Sequence, residues 1–136
     1  METTAQMPTE IVVLEWGVIL LLVQLVLQTI AGVSELGLGY AVSARDEGRQ
    51  VKGVYAARIT RAFYNLLETF VVFVALALAL AISGKAGGLG ATGAWVWFWA
   101  RVVYVPAYAI GIPFVRTLVW TVSAIGLVLM LIRLFS

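Results

Sequence analysis

Residues 57–82 read ARITRAFYNLLETFVVFVALALALAI. The second half of this stretch is apolar enough to sit in lipid, whereas the first half carries Arg58, Arg61, Asn65 and Glu68 into the same helix. At 100° per residue these four side chains fall within an arc of about 80° and form one stripe. Each charge taken into a bilayer costs on the order of 2–3 kcal/mol even on the lenient insertion scale, so the stripe is a functional candidate by default. The structural reading is that Arg61 and Glu68 pair with neighbouring helices while Asn65 bonds across an interface.

The rest of the chain has the same character. It has 136 residues, 62% hydrophobic and 12% charged, and a water-soluble domain of that size has no way to hide so much apolar surface. Four long apolar runs, roughly 11–42, 54–83, 94–112 and 114–135, each reach the ~20 residues needed to cross a hydrocarbon core. The expected architecture is an all-α membrane protein, one four-helix transmembrane domain over residues 1–136, with residues 1–9 as a short polar leader. The first run lacks a basic leader and a small-residue cleavage site, so it reads as a mature helix and not a signal peptide.

Cysteine and histidine are both absent, which excludes disulfides, thiolate nucleophiles, imidazole bases and Cys/His metal sites. No metal site is expected. A net charge of +2 without a long basic run argues against nucleic acid as a partner.

SARDEGRQVKG, residues 43–53, reads as the first loop, and the five-glycine stretch SGKAGGLGATG, residues 83–93, as a flexible second one. The third connection is tight, near Gly111–Pro113, with Pro113 suited to the first turn of a helix. Arg45, Arg49 and Lys52 in the first loop, with Arg58 close behind, outweigh the single Lys85 of the second. The excess of positive charge places the first loop in the cytoplasm and both termini on the opposite side. Trp95, Trp97 and Trp99 read as an interfacial belt at headgroup depth, although alternate residues point to different sides of a helix.

The third run supplies a second polar face. Arg101, Tyr104 and Tyr108 lie within about 60° of one another, and Arg116 follows just beyond Pro113. Pro106 removes a backbone N–H near this face, which predicts a kink and a freed carbonyl. Several guanidiniums, one carboxylate, one amide and two phenols suit a small zwitterion with more than one carboxylate and an ammonium group. A thiol on such a ligand gains from nearby arginine, because positive charge stabilises the thiolate. Glutathione meets these requirements without being singled out by them.

RITRAFYNLLE, residues 58–68, resembles the second-helix signature of the membrane-associated proteins in eicosanoid and glutathione metabolism, the MAPEG family. RVVYVPAYAIGIPFVR, residues 101–116, resembles the family's third-helix pattern of Arg, Tyr, Tyr and a following Arg. The resemblance implies a homotrimer of four-helix protomers with glutathione bound between neighbours near the cytoplasmic side. It implies contacts to glutathione from Arg61, Asn65, Glu68, Tyr104 and Tyr108, with Arg58 and Arg101 beside or bracing them. Arg116 is the matching candidate for thiolate activation, with Tyr104 as a second catalytic candidate, and Arg45 resembles an arginine that reaches the site from the neighbouring protomer. The implied activity is a glutathione transferase or peroxidase acting on small hydrophobic electrophiles from the bilayer. The short loops point to a bacterial inner membrane. The competing expectation is a non-catalytic scaffold or accessory subunit that keeps the fold. The trimer has a second argument in the sequence, since Glu15, Gln24, Gln28 and Glu35 on the first helix compete with the polar stripe for one small core.

Overall fold

A computed structural model describes residues 6–136; the first five residues of the polar leader lie outside the described residues. The chain forms α1 (Thr9–Leu36), a short α2 (Leu38–Ala41), α3 (Val54–Ile82), α4 (Leu89–Ile110) and α5 (Val115–Phe135). The helices α1, α3 and α5 are long and apolar enough to cross a membrane. At 22 residues α4 has the length, but it is not among the helices whose hydropathy suffices for a span.

The first apolar run is not one helix. Gly37 adopts φ +91° and ψ 150°, a conformation that costs a side-chain-bearing residue far more than glycine. It ends α1 and starts the single turn of α2, so the helix expected to reach residue 42 is broken. The glycine-rich second connection is also shorter than its composition implies. Helix α4 begins at Leu89, so half of the expected flexible stretch is helical. Pro113 lies in the turn before α5 and not in its first helical turn. Helix α4 runs through Pro106 without interruption.

The core lies between α1, α3, α4 and α5, and its centre is Trp97, which stacks on Phe73 at 4.0 Å between ring centroids and 6° between planes. Trp97 is wholly buried, which corrects its expected place in an interfacial belt. Of the three tryptophans only Trp99, 57% exposed, faces fully outward. Alternation along one helix sends neighbours at i and i+2 to different sides, and the inward side here is the core. Gly17 lets α1 approach this pair, since a Cβ there would lie 3.2 Å from Phe70 and 3.4 Å from Trp97. Helices α4 and α5 cross still more closely. A Cβ on Gly93 would stand 2.4 Å from the Gly126 carbonyl oxygen.

Two carboxylates of α1 hold the connections at opposite ends of the bundle. Buried Glu10 accepts hydrogen bonds from the Gly87 N–H at 2.8 and 3.1 Å, just before α4. Glu35 accepts from the amides of Lys52 and Gly53, the latter at 2.9 Å, at the start of α3. Orphan amide donors at helix N-termini need such acceptors. Glu35 therefore has partners within its own chain and does not compete for the core, as its place on helix one had implied. Gln24 is buried, whereas Glu15 is exposed.

Candidate functional site

The polar faces of α3, α4 and the first turn of α5 meet at one end of the bundle. Arg61 donates from Nε to the Tyr108 hydroxyl at 2.7 Å. Its guanidinium carbon lies 5.8 Å from the Tyr108 ring centre, and that of Arg116 lies 5.1 Å from the same ring. Tyr104 meets Tyr108 edge to face at 5.6 Å. Arg101 lies behind them, 4.2 Å from the Tyr104 ring. A phenol ring between guanidiniums offers its negative face to each, and such a contact is strengthened by exclusion of water at the buried Arg101.

Arg58 is fixed from another direction. Its Nη1 donates to the Ala109 carbonyl at 2.9 Å, at the C-terminal end of α4, where backbone dipoles favour a cation. The turn beneath it needs glycine twice over. Gly111 has φ +75°, and a Cβ there would fall 2.7 Å from the Arg58 guanidinium. Phe114 closes the turn with φ +72°, a rare conformation for a bulky residue and one found at functional sites. Arg58, Tyr108, Gly111, Phe114 and Arg116 are among the walls of a cavity of about 460 Å³.

No carboxylate among the described residues answers these cations. Among the described residues the one ion pair is Arg49 with Glu47, at 2.6 Å in the first loop. The hydrogen bond that Arg49 donates to the Glu47 carboxylate raises the Arg49 pKa above its ordinary value. Glu68 is exposed on α3 and pairs with none of the arginines. Arg101 is 1% exposed, and none of its guanidinium nitrogens has a hydrogen-bond partner; the buried Asn65 Oδ1 is likewise unpartnered. Unpaired buried groups of this kind are costly. An anion is the complement that arginine forks fit best.

Arg58, Arg61, Arg101, Tyr104, Tyr108 and Arg116 thus come together within one chain. Asn65 lies one turn beyond Arg61 on α3, and Glu68 a further turn on. Arg45 stands apart. It has φ +61° and donates from Nε and Nη2 to the Ala41 carbonyl at 3.2 and 2.8 Å. It lines a separate groove of about 210 Å³ with Gln28, Tyr40 and Arg49. No group of acidic side chains that could hold a metal ion occurs among the described residues. The sequence reading missed Gly111, Phe114 and Val119, the last packed against the Tyr104–Tyr108 pair. The Gly-Ile-Pro turn was legible, but the seating of Arg58 upon it was not, because the two are about fifty residues apart.

Neither a curated protein nor a solved structure matches the chain. The sequence model of the MAPEG family matches residues 13–136, nearly the whole chain and both polar helices included, and the protein belongs to the MAPEG family.

Proposed function

We propose that the protein is an integral membrane glutathione transferase or peroxidase acting on small hydrophobic electrophiles. The observation that carries this reading is the convergence of Arg61, Arg101 and Arg116 on Tyr104 and Tyr108, with Arg58 in the same cavity wall and no carboxylate paired with them among the described residues. Glutathione carries two carboxylates for the guanidiniums, an ammonium group for Glu68 and a thiol to be activated. Asn65 and Tyr108 supply further hydrogen bonds to the peptide.

In the transfer step the thiolate sulfur attacks the electrophilic carbon, forms the C–S bond and displaces a leaving group with its electron pair. In the peroxidase step the thiolate sulfur attacks the peroxide oxygen, the S–O bond forms as the O–O bond breaks, and the other oxygen leaves as an alkoxide that takes up a proton to become the alcohol. The resulting sulfenic acid is reduced by a second glutathione, giving the disulfide and water. Arg116 stabilises the thiolate electrostatically, since a nearby cation lowers a thiol pKa. Tyr104 donates a hydrogen bond toward the same sulfur.

The assembly in this reading is a homotrimer in which α4 crosses the bilayer beside α1, α3 and α5. Arg45 reaches the neighbour's site across the interface. The first loop lies in the cytoplasm of a bacterial cell, and both termini lie on the other side of the inner membrane. Calorimetric titration of the purified protein with glutathione tests the core of the proposal. Heat of binding is expected, and it should vanish in Arg61→Ala and in Glu68→Ala. Absence of both heat and a thermal shift in the wild-type protein overturns it. Binding without turnover of any electrophile assigns the protein instead to the scaffold class.

A further inference from the structure

Glu10, Gly17 and Gln24 recur every seven residues along α1, and all three are buried. Such a repeat keeps one seam of a helix against its neighbour, and here the neighbour is α4. Glu10 takes the Gly87 N–H, Gly17 makes room for Trp97, and Gln24 shares a small pocket with Val105 and Ala109. The first two have evident uses, and Gln24 has none yet. It is 4% exposed, its amide has no side-chain hydrogen bond among the described residues, and Arg58 across the pocket donates instead to the Ala109 carbonyl. The remaining walls, Leu27, Ile59 and Ala62, are apolar.

A buried amide without a partner is costly, and leucine at this position would have avoided the cost. The pocket has about 10 Å³ of free volume, a scale that admits one water molecule and excludes a lipid chain or a peptide. A buried water needs two to four polar partners, and three line this pocket. They are the Gln24 amide, the Arg58 N–H groups that Ala109 does not use, and the second lone pair of the Ala109 carbonyl. That carbonyl belongs to the last turn of α4, where no donor within the helix is available. We propose that one ordered water is held here, accepting from Arg58 and donating to Gln24 Oε1 and the Ala109 carbonyl, and that Gln24 is thereby a positioning residue for Arg58. The guanidinium is then fixed from two sides, by the Gly111 turn and by α1. The site requires neither a thiol nor a reaction, so it stands apart from the glutathione reading.

The test is nuclear magnetic resonance on deuterated protein with protonated alanine methyl groups, in nanodiscs and without glutathione. Magnetisation transfer from water should reach the methyl of Ala62, which is only 3% exposed, with the sign of a long-lived contact. Exposed Ala44 serves as the control for bulk solvent. Gln24→Leu should remove the Ala62 signal and leave that of Ala44. Solvent exchange of the Arg58 Nε–H, read on arginine-labelled protein, should quicken at least about fivefold in Gln24→Leu, the scale of one hydrogen bond. Gln24→Glu keeps the acceptor oxygen and should restore slow exchange, which a role in packing alone would not require.

Absence of transfer to Ala62 in the wild-type protein overturns the proposal. Transfer undiminished in folded Gln24→Leu overturns it as well, since the signal then comes from Arg58 protons and not from a water held by Gln24. Unchanged Arg58 exchange in that variant removes the positioning role. Where Gln24→Leu does not fold, the wild-type Ala62 signal and the exchange rate in Gln24→Glu decide. Glutathione enters none of these measurements, so calorimetry on the same sample separates failure of this site from failure of the glutathione reading.

Discussion

Replacing Gly111 by alanine should uncouple Arg58 from the end of α4, and the size of the effect follows from two measured features of the turn. The residue has φ +75°, where alanine costs about 1–2 kcal/mol relative to its preferred backbone. Its new Cβ would lie 2.7 Å from three atoms of the Arg58 guanidinium, so that group has to leave the Ala109 carbonyl. Loss of a hydrogen bond to a charged group is worth about 1.5–3 kcal/mol. Gly111→Ala should therefore destabilise the protein by roughly 2.5–5 kcal/mol. In an Arg58→Ala background only the backbone strain remains, so the two substitutions should be non-additive by about 1.5–3 kcal/mol. Unfolding in mixed detergent micelles, followed by tryptophan fluorescence in all four proteins, measures the coupling. Additivity within about 0.5 kcal/mol would refute the reasoning, since it would mean that Arg58 does not rest on this turn.

Other consequences are more compact. Glutathione bound beside Arg116 should show thiolate absorbance at neutral pH, below the ~8.5 at which a free thiol titrates. Arg116→Leu should remove the signal and most turnover while sparing affinity, and Arg61→Ala should do the reverse; a thiolate signal intact in Arg116→Leu would pass the role to Arg45 or Tyr104. Gly93→Ala forces a Cβ to within 2.4 Å of a backbone oxygen, so the melting temperature should fall by the equivalent of at least about 1–3 kcal/mol; an unchanged melt means that the crossing is looser than described. Trp97→Ala should cost about 3–5 kcal/mol through the void left against Phe73, read from the same denaturation series. Glu35→Gln should speed hydrogen exchange at the Lys52 and Gly53 amides and leave glutathione affinity unchanged, and exchange rates equal to wild type would show that the clamp carries no weight.

The sequence was most legible where one physical signal dominated. Hydropathy located α3 and α5 within one residue at each end, because nothing in either run competes with helix formation. It was least legible where glycine decided the backbone. Gly37 sits in an apolar run that any hydropathy measure joins to α1, and only its positive φ breaks the helix. The glycines of residues 83–93 had the opposite outcome: two of them, Gly90 and Gly93, are inside α4 because tight contact with Glu10, Arg133 and α5 leaves no room for a side chain. Helical spacing grouped Arg58 with Arg61 and Arg101 with Tyr104 and Tyr108, while Arg116 stood out only by its place beyond Pro113. It gave no sign that Arg101 would be fully enclosed, or that Arg45 would turn back onto its own helix end. Those outcomes depend on which face of each helix the neighbours cover, and that is a property of packing between distant segments.

The outward side of α3 carries the argument one step further. Arg61, Tyr64 and Glu68 are all exposed there, on a helix long and apolar enough to span a membrane. Lipid contact with the two charged groups would cost each of them on the order of 2–3 kcal/mol, against a net stability of only ~5–15 kcal/mol for a typical domain. Among the described residues nothing in the chain relieves this cost, since Glu68 has no ion-pair partner and Arg61 has only the Tyr108 hydroxyl. By contrast Glu10 and Glu35, also on a spanning helix, are both satisfied by backbone amides within the chain. The difference separates two uses of charge in one protein. The carboxylates of α1 tie loops to helix ends, and the α3 stripe is left for another surface. A second copy of the chain covering α3, as the proposed trimer requires, removes lipid from these groups and leaves them open to a polar ligand held between the copies. Crosslinking of Tyr64→Cys in native membranes distinguishes the alternatives: one cysteine per protomer joins two copies, so dimer bands place the stripe at an interface, whereas exclusive labelling by lipid-soluble maleimides places it against the bilayer.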